Sequence, residues 1–333
     1  MRCSTAGEIC GTQVFDDSLV LTAVHFEHTR FHSVQVDLRE TPDSYQAGES
    51  IARAMPASLT DEQTGREEKL AHVLVLTDGL KVNGSDFVAG LMKHLPEGIT
   101  LTGGMAGDGA RFDKTLVFHD GVPREDSIAA LGLYGHRLKV GFGSLGGWDS
   151  FGPDRLVTKS KANVLYELDG QSALGLYKQY LGEHAKGLPA TGLLFPLSVR
   201  SQPGETPVVR TILSVDEAAQ SMTFAGDIPE GSYARLMKAN FDRLVDGASG
   251  AARTSYEAIG SRNAELALLI SCVGRKLVLK QRIEEEVEAV REVLGAGASL
   301  AGFYSYGEIS PFTPGARCEL HNQTMTITAL SEH

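Results

Sequence analysis

Apolar and polar positions along this chain switch repeatedly between a two-residue period and a helical one, so strands and helices alternate throughout. Leu19–Glu27 alternates as a strand, and Phe31–Leu38 reads as its neighbour. Val73–Thr77 is a continuous apolar run, typical of a strand buried on both faces. Asn83-Gly84-Ser85 opens a helix through Leu95, with Phe87, Leu91 and Leu95 on one face. Strands are expected at Ile99–Thr102, Thr115–His119, Ile128–Tyr134 and Leu138–Phe142. Gly143–Pro153 is rich in glycine, holds the single tryptophan, Trp148, and reads as a long loop.

Further on, Leu165–Leu168 reads as a strand and Ser172–Leu181 as a helix. Gly and Pro break the stretch Gly182–Pro207 around a strand at Leu193–Val199. Phe241–Gly260 reads as a helix whose centre, Gly247 to Ala251, is made of small residues. Two glycines there cost about 2 kcal/mol of helix propensity, which implies either close packing against a neighbour or a break. Leu266–Ser271 is a buried strand, and Lys280–Leu294 is a helix with Ile283, Val287, Val290 and Leu294 as its stripe. Gly295 and Gly297 end that helix, Ser299–Phe303 is the next strand, and Gln323–Leu330 closes the unit.

A short turn ending in Gly and an acid occurs three times. It reads Cys3-Ser4-Thr5-Ala6-Gly7-Glu8-Ile9, then loosely Gly103-Gly104-Met105-Ala106-Gly107-Asp108, then Tyr304-Ser305-Tyr306-Gly307-Glu308-Ile309. Such a turn points backbone N–H groups into a cleft and sets a carboxylate beside them. From Val73 to His119 and from Leu266 to His321 the order is the same: strand, glycine loop, helix, strand, turn, strand, histidine. We therefore expect an α/β fold of two related α/β domains with mixed sheets, 1–165 and 166–333, related by internal duplication. The turn at Cys3 has no strand and helix before it, so the first copy looks truncated. An open sheet edge would follow, to be covered by a homodimer mate or another partner.

The chain has 333 residues, 42% of them hydrophobic, which is enough for a substantial core. Its formal charge of −11 argues against nonspecific binding of nucleic acid or an anionic membrane surface. No apolar run is long enough to span a bilayer and no signal peptide is visible, so a cytoplasmic setting is the default. Cys3, Cys10, Cys272 and Cys318 form no CxxC pair and read as free thiols, with iron–sulfur ligation the weaker alternative.

Cys3–Ile9, the run Gly103 to Phe112, and His119-Asp120-Gly121 resemble the FIST N-terminal domain. Ser271-Cys272-Val273-Gly274-Arg275, Gly302–Ile309 and the run Leu320 to Thr326 resemble the FIST C-terminal domain. The resemblance implies a sensory module in bacterial and archaeal signal transduction that binds a small molecule such as an amino acid. One stand-alone branch of the family implies more: haem binding, nitric-oxide sensing and regulation of a partner histidine kinase.

His119 and His321 occupy matched places beside the turns and are the candidate axial or metal ligands, with His184 a weaker haem-pocket candidate. Both also suit a structural role, capping a hairpin. Arg275 is placed to clamp a carboxylate or a haem propionate, and Ser305, Glu308, Asp108 and Asn322 to contact a ligand. Asp108 and Glu308 equally suit local capping of backbone N–H groups. Cys272, after a buried strand, reads either as a small buried residue or as a thiolate activated by Arg275. No Ser-His-Asp order, HExxH or Walker loop is present, so a sensor rather than an enzyme is expected, with a thiol enzyme built on Cys272 as the alternative.

Overall fold

The computed structural model describes residues 1–60, 65–202, 206–260, 263–313 and 315–333; residues 203–205 of the breaker-rich stretch lie outside it. Two mixed sheets carry the fold. The first runs in space through Arg30–Asp37, Ser127–Tyr134, Glu67–Thr77, Thr100–Met105, Glu308–Pro311 and Cys318–His321. The second runs through Leu138–Leu145, Met325–Glu332, Leu266–Cys272, Ser299–Ser305, Glu8–Cys10 and Gln13–Phe15. The two orders correspond place for place. In each, the third and fourth strands are parallel and all other neighbours are antiparallel. A parallel pair needs a crossover, supplied by Gly84–His94 in one sheet and by Val273–Leu279 with Ile283–Leu294 in the other.

The duplication is therefore present, with an exchange. The last two places of each sheet are filled by a hairpin from the other half of the chain. The Glu8–Cys10 strand is not the head of an N-terminal sheet short of one element. It pairs with Ala301–Phe303 on one side and with Gln13–Phe15 on the other. The open edge expected there is filled because the hairpin belongs to the opposite sheet.

The sheets pack face to face. Ala71, Leu131 and Leu133 of the first meet Leu138, Leu266, Leu268 and Leu330 of the second. The hydroxyl of Thr328 also donates to that of Thr102 across the gap, at 2.8 Å. Helix pairs cover the outer faces: Ser44–Ala54 with Gly84–His94, and Phe241–Ala258 with Ile283–Leu294. Each buried Leu, Ile, Val or Phe in these layers contributes about 1.5–3 kcal/mol. The Gly84–His94 helix starts where the side chain of Asn83 accepts from the N–H groups of Ser85 and Asp86, at 3.1 and 3.3 Å.

The glycines at the centre of Phe241–Ala258 reflect close packing and not a break. A Cβ on Gly247 would lie 1.9 Å from the carbonyl oxygen of Gly146. The supposed loop Gly143–Pro153 is the end of one strand and the start of another, Asp149–Lys161. Its glycines report how near that helix lies, since a Cβ on Gly143 would meet the carbonyl of Ala251 at 2.4 Å.

Between Leu138–Leu145 and Phe241–Ala258 the chain leaves to build a second unit. Its antiparallel strands lie between Asp149 and Lys238, with the helix Ala173–Leu181 against them. Val157, Leu165, Leu174, Tyr177, Phe224 and Leu236 belong to a core of its own. The division expected at 165/166 falls inside its strand Val164–Leu168. Leu19–Glu27, read as a strand, joins no sheet. It is an extended strap tied down where the Glu332 carboxylate accepts the N–H groups of Glu27, His28 and Thr29. Among the described residues no helix is long and apolar enough to cross a membrane, and the four cysteines are free.

Candidate functional site

The parallel strands of the second sheet end side by side, with Cys272 opposite Ser305. Beyond Ser305 the chain turns through Tyr306 and Gly307, and Glu308 begins the strand that crosses to the first sheet. The end of a parallel pair is where open α/β sheets place ligands. Here it is occupied by a fully buried carboxyl. Glu308 accepts from the hydroxyl of Ser305 at 2.8 Å, the backbone N–H of Thr324 at 3.1 Å and the hydroxyl of Thr324 at 2.9 Å. Burial pushes its pKa up to about 8 against the pull of those bonds and of Arg275.

Cys272 lies against this carboxyl. Burial and the charge of Glu308 both raise its pKa, so the thiol stays protonated. That is the opposite of what a thiolate nucleophile needs. Arg275 is also buried, and all three nitrogens of its guanidinium are engaged. It donates to Glu286 Oε2 through Nε at 2.9 Å and Nη2 at 2.7 Å, to the carbonyl of Gly146 at 2.8 Å and to that of Leu244 at 2.7 Å. Glu286 further accepts from Ser271 at 3.0 Å and Tyr304 at 2.8 Å. Arg275 thus joins two helices and a loop, and is not free to clamp a propionate or an amino-acid carboxylate.

The segment His321–Thr324 covers the cluster. His321 sits opposite Glu308 in the ladder. Its Nε2 lies 2.7 Å from the carbonyl of Ser310, and its ring packs on Phe312 with centroids 4.0 Å apart. Burial pulls its pKa down to about 4, so the imidazole is neutral. Asn322 is fully buried, and neither its Oδ1 nor its Nδ2 has a protein partner. Gln323 adopts a left-handed φ of 63°. Its carbonyl accepts from the indole N–H of Trp148 at 2.9 Å, and its Nε2 donates to the carbonyl of Leu193 in the inserted unit at 3.3 Å. Gly274 makes room for that amide, since a Cβ there would lie 2.4 Å from it. Gln323 Oε1 and His321 Nδ1 also lack protein partners. A buried polar group left unsatisfied costs about 1–3 kcal/mol, and this short segment holds four such atoms.

The structure thus brings Cys272, Ser305 and Glu308 together, with His321 opposite Glu308 in the ladder and Asn322 buried next to it along the chain. It sets Arg275 beneath them and leaves the other expected residues elsewhere. Asp108 is a loop clamp. Its carboxylate accepts the N–H groups of Phe112, Asp113 and Lys114 at 2.9 Å each, together with the hydroxyl of Tyr306. Burial pushes its pKa up, and the bonds outweigh that and hold it below the ordinary value. His119 lies in a separate small sheet of Arg2–Cys3, Val117–His119 and Val122–Arg124. Its Nε2 is 3.1 Å from the hydroxyl of Ser33 and its Nδ1 3.4 Å from Asp120. His184 is exposed in a short 3-10 turn, its ring 5.2 Å from that of Phe195.

None of these three histidines fits haem. An axial ligand needs a free ring nitrogen facing a cavity that admits the macrocycle. His321 has one nitrogen on Ser310 and a ring closed off by Phe312, both nitrogens of His119 have neighbours, and His184 stands on the surface. None lines any of four clefts of about 400 to 740 Å³ in the described surface. Among the described residues no three His, Cys, Asp or Glu side chains converge as a metal site.

Thr324, Gln323 and Trp148 are the contacts that sequence reasoning missed. The signal available was the polar run from His321 to Thr324 directly before an alternating strand, but the pattern does not tell a buried polar run from an exposed one.

The FIST N domain matches residues 2–171 and the FIST C domain residues 173–311. An uncharacterised protein of Methanocaldococcus jannaschii is 29% identical over 162 residues, 44% of this chain and 31% of that protein. Uncharacterised proteins of Mycobacterium bovis and Mycobacterium tuberculosis are each 26% identical over 246 residues, 69% of this chain and 60% of theirs. The chain thus spans about a third to three-fifths of the length of these relatives.

Proposed function

Because the chain belongs to the FIST family, whose N and C domains are sensory domains of signal transduction, we propose that it senses a small polar molecule held by Glu308, Asn322 and Gln323. The observation that carries this reading is Asn322, fully buried with both polar atoms unpartnered, in the segment whose Thr324 bonds Glu308. Asn322 offers an amide NH2 with two donors and an acceptor oxygen, Gln323 Oε1 a second acceptor, and Glu308 a carboxyl that burial keeps protonated up to about pH 8. An amino acid suits this set, with its ammonium toward Glu308 and Gln323 Oε1 and its carboxylate toward Asn322 Nδ2. Arg275 then plays no part in ligand contact, and no bond is made or broken.

The contact from Gln323 to Leu193 links the cluster to the inserted unit. A ligand that draws Gln323 inward releases or tightens that unit, which is how occupancy becomes a signal. On the family resemblance, a histidine kinase receives it.

The test is a panel of amino acids and small amines, read by thermal unfolding and by the fluorescence of Trp148. A ligand at a hundred times its Kd stabilises the folded state by about 2.7 kcal/mol. We expect one member of the panel to do so and Asn322→Leu to abolish the effect. No stabilisation of the native chain, or an equal one in Asn322→Leu, rules the site out.

A further inference from the structure

A separate cleft of about 400 Å³ opens at the matching place in the first sheet, where Glu67–Thr77 and Thr100–Met105 end. Its walls come from the loop after Thr77, from the loop that Asp108 clamps, and from the inserted unit. Each wall presents an apolar side chain to solvent: Leu80 is 39% exposed, Phe112 38% and Leu213 42%. Exposed large apolar residues scattered singly carry no message, but three converging on one concavity from separate elements mark a binding site.

Two further observations define the guest. The rings of Phe112 and Tyr306 stack, with centroids 4.5 Å apart and planes 15° from parallel. The Tyr306 ring and the backbone that carries Phe112 are held in advance. Phe112 has a left-handed φ of 54° and an N–H bound to Asp108 at 2.9 Å. The hydroxyl of Tyr306 donates to Asp108 and to the carbonyl of Gly109. The polar groups of the lining are already engaged. Lys81 Nζ lies 2.6 Å from Asp126, Asn83 Nδ2 bonds Asp86 and Asp227, and Asn163 Nδ2 donates to the carbonyl of Phe224 at 2.8 Å. The lining cation Lys81 is already paired with Asp126, while a flat guest extends a stack already in place.

We infer that this cleft binds an uncharged planar aromatic molecule, stacked on the Phe112–Tyr306 pair between Leu80 and Leu213. The site is distinct from the polar cluster at Glu308, though Tyr306 belongs to the same turn.

The experiment uses the full chain, with indole as the probe and cyclohexanol as a non-planar control, followed by ligand-detected NMR and calorimetric titration. Indole binds and cyclohexanol does not. Phe112→Ala weakens indole by about three- to tenfold, the range of one aromatic pair. Leu213→Asp, at an exposed position that leaves the core intact, weakens it by at least about tenfold. Asn322→Leu leaves it unchanged. Failure of indole to bind the native chain overturns the proposal, as does equal binding by Leu213→Asp or by cyclohexanol. Loss of indole binding in Asn322→Leu would place the molecule in the polar cluster and overturn it as well.

Discussion

The turns Thr5-Ala6-Gly7-Glu8-Ile9 and Ser305-Tyr306-Gly307-Glu308-Ile309 occupy corresponding places in the two sheets. Their backbone bonds correspond too. Ala6 and Gly7 exchange bonds with Tyr304, both at 2.8 Å, and Tyr306 and Gly307 exchange bonds with Met105 at 3.2 and 2.8 Å. In each turn the hydroxyl three residues before the acid donates to it. The difference lies in what covers the acid. The other oxygen of Glu8 takes the hydroxyl of Ser18 at 2.6 Å, in a cleft it shares with Asp16 and Asp17. That of Glu308 takes Thr324 beneath a sealed segment. One motif therefore serves as a sheet-crossing device in both halves, and only the overlying chain decides whether its carboxyl is solvated or buried.

The sharpest way to break this comparison is to remove what holds the buried copy from below. Arg275→Met leaves Glu286 charged and unpaired in the core, which costs about 3–5 kcal/mol. Chemical denaturation should show that loss. A change below about 1 kcal/mol would mean that the Arg275–Glu286 pair is not sealed.

Next comes the acid itself. Glu308→Ala leaves the Thr324 N–H and two hydroxyls without their acceptor, for a loss of about 2–3 kcal/mol. Glu8→Ala, in the half-exposed copy, should stay within about 0.5 kcal/mol of the native chain. Equal losses in a denaturant comparison would erase the distinction between the copies.

The pH dependence follows from the same burial. Glu308 keeps its proton up to about pH 8 in the folded state, against an ordinary value of 4.5. Between these values the folded chain binds more protons than the unfolded one, so this group's contribution is present below the window and is lost as the pH rises through it. The slope is at most about 1.4 kcal/mol per pH unit. Glu308→Gln cannot titrate and should flatten the profile relative to the native chain, whereas Glu8→Gln should leave it as it is. Parallel native and Glu308→Gln profiles across the window would show that the buried carboxyl is not neutral.

Elements whose own residues settle them are legible in the sequence. Val73–Thr77, the helix after Asn83 and the Ile283–Leu294 stripe all lie where periodicity and caps set them. The hydroxyl, the acid and the asparagine of the candidate site stand within recognisable motifs. What depends on distant partners is not. Leu19–Glu27 has the alternation of a strand but finds no ladder. Glu8–Cys10 pairs on one side with a strand almost three hundred residues away, so its turn resembles the start of a broken copy. The glycines from Gly143 to Gly147 resemble a loop because the helix pressed against them is unknowable from their neighbours. Arg275 resembles a clamp because the acceptors of its guanidinium come only from three other elements.

The finest test of the comparison is the hydroxyl before each acid. Ser305→Ala removes a bond that lies wholly in the interior, at 2.8 Å, and leaves one oxygen of Glu308 without it. The expected loss is about 1 kcal/mol. Thr5→Ala removes the corresponding bond where solvent can replace it, and the expected loss is no more than a few tenths of a kcal/mol. Both substitutions keep the turn, because neither touches Gly7 or Gly307. A double substitution with the matching Glu→Gln separates the bond from the methylene packing around it. A coupling near zero for Ser305 and Glu308 would show that the turn is held by its backbone alone, and that burial of the second copy adds nothing to the hydroxyl it shares with the first.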